Sequence, residues 1–394
     1  MKVPLNVMNL KLAIAGTSAV AIALGIGRFA YTPILPFMQD DLSLSSTDLG
    51  ALASWNFFGY LVGSLTALIS SNLFFKERDI FLFALGLSII TTAMMGLTEK
   101  TLMMAIIRFL AGIASALTLI VGTSLIFKRF DISGDSNLKL AHFCGFGLGI
   151  TISALAVSST TYYGFDWSSQ WLLMALLCCI LAVPILIFIP DDTPVACSQV
   201  VSNPKKKSML AFVLITVGYG LFGLAYIIFG TFISAMSVKL VHLESFGQYV
   251  WLIVGIAAIP SVFLWQRLSI IVGKDLALAL ACISSAIGIF FAVKFLSIFW
   301  LSVGCALYGA GMPGIVALAL LEGKDRYSGS LVSAVAILTL SFSFGQMVGP
   351  VLAGFLIDLF GDYFLAMQIS VVSFFVAGLC MINPERLQTY QTSR

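Results

Sequence analysis

Long apolar runs alternate with short polar intervals along the whole chain. A helix needs roughly 20 apolar residues to cross about 30 Å of hydrocarbon, and the chain has twelve runs of about that length. They predict transmembrane helices at 12–37, 48–70, 80–97, 101–127, 139–160, 170–190, 209–237, 247–265, 275–293, 296–320, 329–356 and 363–382. An even number of spans places both termini on the same side of the membrane.

Composition supports the same picture. Of the 394 residues, 60% are hydrophobic and only 10% are charged, which is more apolar surface than one soluble core could bury. The pattern therefore predicts an all-α, multi-pass membrane protein with the lipid bilayer as its surroundings. The net charge of +3 is dispersed along the chain, so nucleic acid is not an expected partner.

Basic residues set the predicted orientation, because Lys and Arg concentrate in cytoplasmic loops. Sixteen of the 21 basic residues fall on one side of the twelve spans, and Lys100, Lys239 and Lys294 fall on the other. The last two, Arg28 and Arg108, lie inside spans. We expect a bacterial inner-membrane protein with both termini in the cytoplasm.

The longest polar interval divides the chain in two. Residues 191–208 contain two prolines, several serines and three consecutive lysines, a composition typical of a linker. It predicts an N-terminal six-helix bundle at 1–190, a cytoplasmic linker at 191–208, and a C-terminal six-helix bundle with a short tail at 209–394.

The two predicted bundles share a weak internal repeat at an offset of 195 to 200 residues. The matched residues are Gly25 with Gly220, Ala30 with Ala225, Tyr31 with Tyr226, Trp55 with Trp251, Gly59 with Gly255, Gly112 with Gly311, Gly145 with Gly345, and Gly149 with Gly349. Because each half has six spans, the copies share one orientation and form a parallel repeat. Such repeats are found in transporters that work by alternating access.

Arg28 is the most informative single residue. It lies about 25 Å along the helix from Lys11, at 1.5 Å per residue, so its side chain cannot reach the interface where the first span begins. A central arginine costs about 2.5 to 3.5 kcal/mol to insert, and such residues usually face a wet cavity or ligand path. The alternative is an arginine in the outer half that snorkels to the far headgroups.

Several motifs resemble the major facilitator superfamily over essentially the whole chain. The motif Arg108-Phe-Leu-Ala-Gly112 is similar to the superfamily's fourth-helix Arg-x-x-x-Gly, and the residues from Gly349-Pro350 to Gly361 are similar to its eleventh-helix ending. Residues 25–33 (Gly-Ile-Gly-Arg-Phe-Ala-Tyr-Thr-Pro), 59–63 and 145–149 resemble the YbfB/YjiJ-like bacterial branch. The resemblance implies a central cavity lined by helices one, four, seven and ten.

Two departures from the superfamily pattern bear on function. The loop at 71–79 keeps only scattered charge where members commonly carry a Gly-x-x-x-Asp-Arg gating motif. The fifth span has glycines but no Gly-Pro pair, so the drug-exporter class is not supported.

Candidate binding residues follow from the cavity that the resemblance implies. We expect the substrate to contact Arg28, Tyr31, Asn56, Tyr60, Arg108, Tyr226 and Gln346. Guanidinium groups match carboxylate or phosphate with two parallel hydrogen bonds, so Arg28 and Arg108 could hold one anion together. The alternative for each residue is a structural hydrogen bond between helices, and for Arg108 a buried arginine that bonds backbone carbonyls.

Small residues spaced by four allow close helix contact. Three such pairs predict sites of packing or gating: Gly59 with Gly63, Gly145 with Gly149, and Gly345 with Gly349. His142, near the predicted inner end of span five, could titrate near neutral pH or act as an interfacial hydrogen bonder.

The charges favour one function over its alternatives. No Asp or Glu lies at the middle of a predicted span, which disfavours cationic substrates and a carboxylate proton relay. We expect a secondary transporter of a small organic anion, coupled to a proton or exchanged for another anion, and acting as a monomer. The alternatives are an exporter of amphipathic or neutral compounds and a membrane sensor that transports nothing.

Enzyme activity is not expected, because the sequence has no P-loop, metal cluster or Ser-His-Asp set. The seven cysteines have no metal-like spacing, and neither a metal nor a cofactor is predicted.

Overall fold

The computed structural model describes residues 5–70, 76–133, 136–189, 208–240, 243–327 and 331–384, and this part of the chain is helical without a β-strand. The predicted linker, apart from Ser208, lies outside the described residues. In residues 5–189 the elements are α1 (Leu5–Val20), a π-helical segment (Ala21–Ile26), α2 (Tyr31–Asp41), α3 (Ser46–Ser70), α4 (Glu77–Met95), α5 (Thr101–Ser133), α6 (Ser136–Tyr162) and α7 (Trp167–Phe188). In residues 208–384 they are α8 (Met209–Val238), α9 (Glu244–Gly247), α10 (Val250–Ala258), α11 (Ser261–Val272), α12 (Lys274–Phe295), α13 (Ile298–Arg326), α14 (Leu331–Phe360) and α15 (Phe364–Met381).

Ten helices in the described part of the chain are long and apolar enough to cross a membrane. The count rises to 11 if the bent pair α10 and α11 is one span. Helix α3 occupies the second predicted span but is not among them, because Ser, Thr, Asn and Gly residues dilute its apolar character. The multi-pass character is therefore clear, and the number of twelve spans stays a prediction.

The first predicted span has an irregular turn in its middle, which we call the helix break, although Met8–Asp41 still counts as one membrane-spanning segment. The Gly27 N–H donates to the Ile22 carbonyl at 2.8 Å, five residues back instead of four, which widens the helix locally. Pro33 has no N–H to donate to the Phe29 carbonyl, and regular helix resumes only at Tyr31. The prediction of one span in this region is confirmed. Its widened turn was not predicted, although glycines and prolines are the usual signals for such an irregularity.

The eighth predicted span is bent by 50° between α10 and α11. Pro260 stands at the junction as the residue before α11. Since proline cannot donate the hydrogen bond that would continue α10, the helix restarts in a new direction.

The two halves of the chain pack by the same scheme. In residues 5–189, α1 packs on α6 and α7, α3 on α5, and α4 on α5 and α7. In residues 208–384, α8 packs on α14 and α15, α10 on α13, and α12 on α13 and α15. These pairs correspond under the predicted repeat. The halves meet mainly through α3 with α14, α6 with α10, and α2 with α8.

Candidate functional site

A cavity of about 110 Å³ lies between the two halves. Its first wall comes from residues 24–146 and its second from residues 222–342. The lining residues are Leu24, Arg28, Tyr60, Leu119, Phe143, Phe146, Phe222, Tyr226, Met312, Pro313, Val316, Ala317, Leu320 and Phe342. In the predicted topology, Leu119, Phe143 and Leu320 belong to the inner halves of their spans, so the cavity extends from mid-membrane toward the predicted inner end.

Arg28 is the one charged residue among the described residues that line this cavity. Its side chain is 5% exposed, and its guanidinium carbon lies 4.3 Å from the Tyr60 ring centroid and 4.7 Å from that of Phe57. The Nε and Nη2 atoms are buried and have no hydrogen-bond partner among the described residues. A desolvated cation–π contact stabilises by about 2 kcal/mol, whereas burying an ion costs several kcal/mol. The charge of Arg28 is therefore only partly compensated.

The helix break positions Arg28. Arg28 lies two residues after the end of the π-helical segment, and its N–H donates to the Leu24 carbonyl at 3.4 Å. The Ser115 hydroxyl of α5 donates to the Ala23 carbonyl at 2.5 Å and so ties the widened turn to its neighbour. Such π-bulges occur frequently at functional sites.

Tyr226 and Gln346 meet on the opposite wall. The Gln346 side-chain amide donates to the Tyr226 hydroxyl, while the Gln346 Oε1 atom is buried without a partner among the described residues. The Tyr308 hydroxyl donates to the Tyr226 backbone carbonyl at 2.7 Å. Tyr226 lines the cavity directly, and Gln346 supports it from behind.

The other three predicted binding residues form a separate polar cluster within the first half. The Asn56 amide donates to the Arg108 carbonyl at 3.0 Å, and the Arg108 guanidinium lies 4.5 Å from the Tyr31 ring centroid. Arg108 Nε donates to the Leu52 carbonyl at 3.4 Å, and the Tyr31 hydroxyl donates to the Leu49 carbonyl at 2.9 Å. None of Tyr31, Asn56 and Arg108 lines the cavity. In this conformation the two arginines do not face a common space.

The six predicted packing glycines all sit at close helix crossings inside one half. A Cβ atom built on any of them would lie under 3.0 Å from a neighbouring helix. The neighbours are Phe109 for Gly59, Ile113 for Gly63, Thr17 for Gly145, Ala21 for Gly149, Gly220 for Gly345 and Ile227 for Gly349. Their geometry is that of packing within each half, and a part in gating stays a prediction.

Asp358 joins the halves at the predicted outer end. Its carboxylate accepts hydrogen bonds from the Ser46 N–H at 2.9 Å, the Thr47 N–H at 2.7 Å and the Thr47 hydroxyl at 2.6 Å. Both N–H groups belong to the first turn of α3, where backbone donors lack partners within the helix and a negative charge is favoured. The sequence analysis placed Asp358 in a family-like motif but did not predict this contact.

Two further hydrogen bonds cross between the halves beside the helix break. The Thr32 hydroxyl donates to the Gly230 carbonyl at 2.7 Å. The Trp251 indole donates at 3.1 Å to the Phe29 carbonyl, which Pro33 leaves without its usual helical donor. Both bonds lie on the predicted outer side of Arg28.

Glycines outside the predicted pairs make the closest crossings between halves. A Cβ on Gly50 or Gly354 would collide with the Pro350 or Ser46 carbonyl, and one on Gly147 would meet the backbone at Ile259. Because α3 and α14 touch backbone to backbone at the predicted outer end, the halves are closed there.

His142 does not face the cavity. It is 1% exposed, and its Nε2 atom lies 2.9 Å from the Thr123 hydroxyl. In the described part of the chain, no group of His, Cys, Asp and Glu side chains could hold a metal ion.

The cluster of aromatic side chains along one wall of the cavity was not predicted from the sequence. Four nearly parallel rings from α8 and α14 (Tyr219, Phe222, Tyr226 and Phe342, the "ring bank") pack with centroids 4.6 to 5.9 Å apart. Three members line the cavity. Their spacing along α8, three and four residues apart, puts them on one helix face, and this signal could have been recognised.

Comparisons with known proteins point to one class of protein, membrane transporters. Residues 20–382 match the model of a family described as "Uncharacterised MFS-type transporter YbfB". A stretch of 172 residues is 26% identical to the "Putative transporter AraJ" of Escherichia coli (strain K12). This stretch spans 43% of the chain and 42% of AraJ.

Solved structures of the nucleoside transporter NupG are similar in fold. A mutant form matches with a TM-score of 0.74 at 15% identity, and the unmutated form with a TM-score of 0.71 at 16% identity. Each alignment covers 95% of this chain and 98% of NupG. At such low identity the likeness concerns the fold alone.

Proposed function

The chain belongs to the family of major-facilitator-type transporters described by YbfB, and from this membership we propose that it carries a small organic anion by alternating access. The substrate binds in the cavity between the halves, with Arg28 as its anion contact and Tyr60, Tyr226 and Gln346 as neighbouring polar groups. The predicted six-helix division and the cytoplasmic location of both termini are parts of this proposal.

The observation that carries it is the unpartnered charge of Arg28. A buried donor without an acceptor costs about 1 to 3 kcal/mol, and Nε and Nη2 are two such donors. A bound anion would supply both the missing acceptors and the missing charge. Cationic substrates are disfavoured, because the described residues of the cavity wall include no acid.

Alternating access is supported by where the halves touch. The bonds from Asp358, Thr32 and Trp251 lie on the predicted outer side of Arg28, while the cavity lies on the predicted inner side. Breaking these bonds while the inner side closes would expose the same arginine to the opposite side of the membrane.

The cavity must also change size during transport. Its volume of about 110 Å³ is below the roughly 300 to 1,000 Å³ typical of ligand pockets. We therefore assign this conformation to a contracted state that is closed outward, and uptake or release requires the halves to separate further.

Ligand stabilisation of the purified full-length protein tests the anion site. A panel of organic anions and their neutral amides would be screened by thermal shift, with Arg28→Lys, Arg28→Ala and the exposed-residue control Arg267→Lys in parallel. We expect an anion to stabilise wild type and the control, and Arg28→Ala to weaken its binding about tenfold to hundredfold, since a charge-assisted contact contributes about 1.5 to 3 kcal/mol. Arg28→Lys keeps the charge but loses the planar fork, and we expect clearly weaker binding.

The melting temperatures without ligand provide the control for folding. If Arg28→Lys bound an identified anion with unchanged affinity, the anion site would be wrong.

A second candidate function, export of neutral amphipathic compounds, is favoured by one observation. A groove of about 530 Å³ between α3 and α14 is lined almost entirely by apolar side chains, including the exposed Trp55 and Phe355. If this function is correct, the neutral amides should stabilise the protein in the same screen, and Arg28 substitutions should leave that stabilisation unchanged.

A further inference from the structure

We propose that the ligand is a monocarboxylate with a single flat apolar ring, of which benzoate is the simplest probe. This inference rests on the proposed anion site and adds the chemical class of the ligand. It follows from the shape of the free guanidinium edge, the charge of the cavity, the ring bank and the cavity volume.

The free edge of Arg28 selects a carboxylate. Nε and Nη2 carry the two parallel N–H groups on one side of the guanidinium fork, and neither has a partner among the described residues. Both atoms are buried in this conformation, so a carboxylate reaches them only as the cavity widens. The two oxygens of a carboxylate match this edge with two hydrogen bonds.

The single cation limits the ligand to one negative charge. Arg28 is the one charged side chain among the described cavity residues, and a second negative charge would be desolvated without a partner, which costs several kcal/mol. Phosphate monoesters and dicarboxylates are disfavoured for this reason.

The ring bank selects a flat aromatic body. Phe222 and Phe342 have centroids 5.7 Å apart at 15°, and Tyr226 and Phe342 are 5.7 Å apart at 4°. A ligand ring near them would find offset-stacked or edge-to-face partners at the usual 4.5 to 7 Å. Met312, Pro313 and Val316, which also line the cavity, are apolar, and their side chains offer the ligand no hydrogen bonds.

In this contracted conformation, the cavity volume favours a ligand with one ring. An apolar cavity of about 150 Å³ accepts benzene, and this cavity of about 110 Å³ needs only modest expansion to hold one ring. Bicyclic or sugar-bearing molecules would need much more space.

Matched ligands test the class. Binding to the purified full-length protein would be measured for benzoate, its neutral isostere benzamide, the acyclic monocarboxylate hexanoate and the dianion phthalate. We expect benzoate to bind roughly tenfold to hundredfold more tightly than benzamide, and also more tightly than hexanoate and phthalate.

A ring-bank variant tests the aromatic contact. Phe342→Leu should weaken benzoate binding roughly two- to tenfold while changing hexanoate binding little. Phe342→Tyr keeps the ring face and should restore affinity, and Phe375→Leu, at an exposed position on α15, should leave benzoate binding unchanged.

The outcomes separate the two proposals. If hexanoate or phthalate binds as tightly as benzoate and remains dependent on Arg28, the ring class is wrong and the anion site stands. If benzoate shows no binding at millimolar concentration, or Phe342→Leu weakens both monocarboxylates equally, the ring class is also wrong. If benzamide equals benzoate and Arg28→Ala changes neither, the proposed anion site fails as well.

Discussion

Asp358 offers the sharpest test of how the predicted outer end closes. The substitution Asp358→Asn keeps the side chain's shape but removes its charge and replaces one acceptor oxygen with a donor. The variant cannot accept all the hydrogen bonds that the carboxylate takes from Ser46 and Thr47. The contact closes the gap between α3 and α14, so its loss should favour the conformation that is open outward.

The magnitude follows from the position of the contact. A charge at a helix N-terminus stabilises by about 0.3 to 1 kcal/mol at the surface and up to about 2 kcal/mol when partly buried. Asp358 is exposed but hydrogen-bonded to half-buried backbone, so we take about 1 to 2 kcal/mol. This corresponds to a shift of roughly five- to thirtyfold in the equilibrium between closed and open.

Cysteine labelling would measure this shift. Thr32, which is 3% exposed where the two halves meet on the predicted outer side, is replaced by cysteine in a protein without its native cysteines. A membrane-impermeant maleimide is then added from outside to intact cells. When opening is fast relative to labelling, the rate reports the open population, and Asp358→Asn should raise it roughly five- to thirtyfold.

Asp48→Asn is the matched control. Asp48 caps the same helix, accepting from the Ser45 hydroxyl at 2.8 Å, but its bond stays within one half. We expect this variant to leave the labelling rate unchanged. An equal rate in wild type and Asp358→Asn, or an equal rise in both variants, would refute the closing role of Asp358.

Three further predictions concern the topology and the two buried contacts. A reporter active only in the cytoplasm should be active when fused after Lys207 and silent after Lys100, and the reverse pattern would overturn the predicted orientation. Trp251→Phe removes the indole donor from the Phe29 carbonyl, which still accepts from the Thr32 N–H at 3.3 Å, and should destabilise the closed state by about 0.5 to 1.5 kcal/mol. The change would be measured as faster outside labelling, and an unchanged rate would contradict the role of this bond. Arg108→Lys should lower the melting temperature, because its stacked guanidinium packs within one half; a normal melting temperature with lost anion binding would instead place Arg108 at the ligand.

Membership in the transporter family and the helical, multi-pass character were predicted from the sequence and are confirmed by the family match. These features depend on local hydrophobicity and on motifs contiguous in the chain, such as residues 25–33. The membrane depth of Arg28 was inferred equally locally, from its distance to Lys11 alone, and it stays a prediction. Its lack of partners could not be predicted, because that depends on every helix around it.

Contacts between the two halves could not be predicted, because they join residues far apart in the chain. Asp358 and Ser46 are 312 residues apart, and no periodicity links an aspartate at one helix end with the first turn of another. The Trp251 bond to Phe29 joins residues 222 apart in the chain, at a carbonyl that lacks its usual helical donor because Pro33 has no N–H. Three predicted binding residues, Tyr31, Asn56 and Arg108, lie in a cluster of their own. Asn56 donates to the Arg108 carbonyl and the Arg108 guanidinium stacks on Tyr31, and these contacts depend on how α2, α3 and α5 pack together.

The central claim is that Arg28 holds the anion that the protein transports, and counterflow of labelled benzoate tests it most directly. Proteoliposomes containing the full-length protein are loaded with unlabelled benzoate, and entry of external label is followed, with protein-free liposomes reporting passive leak of the acid. The account predicts transient accumulation of label with wild type and with Arg267→Gln. With Arg28→Gln, provided that the variant keeps the wild-type melting temperature, we expect no accumulation of label above the leak of protein-free liposomes. Equal accumulation with Arg28→Gln and wild type would contradict it.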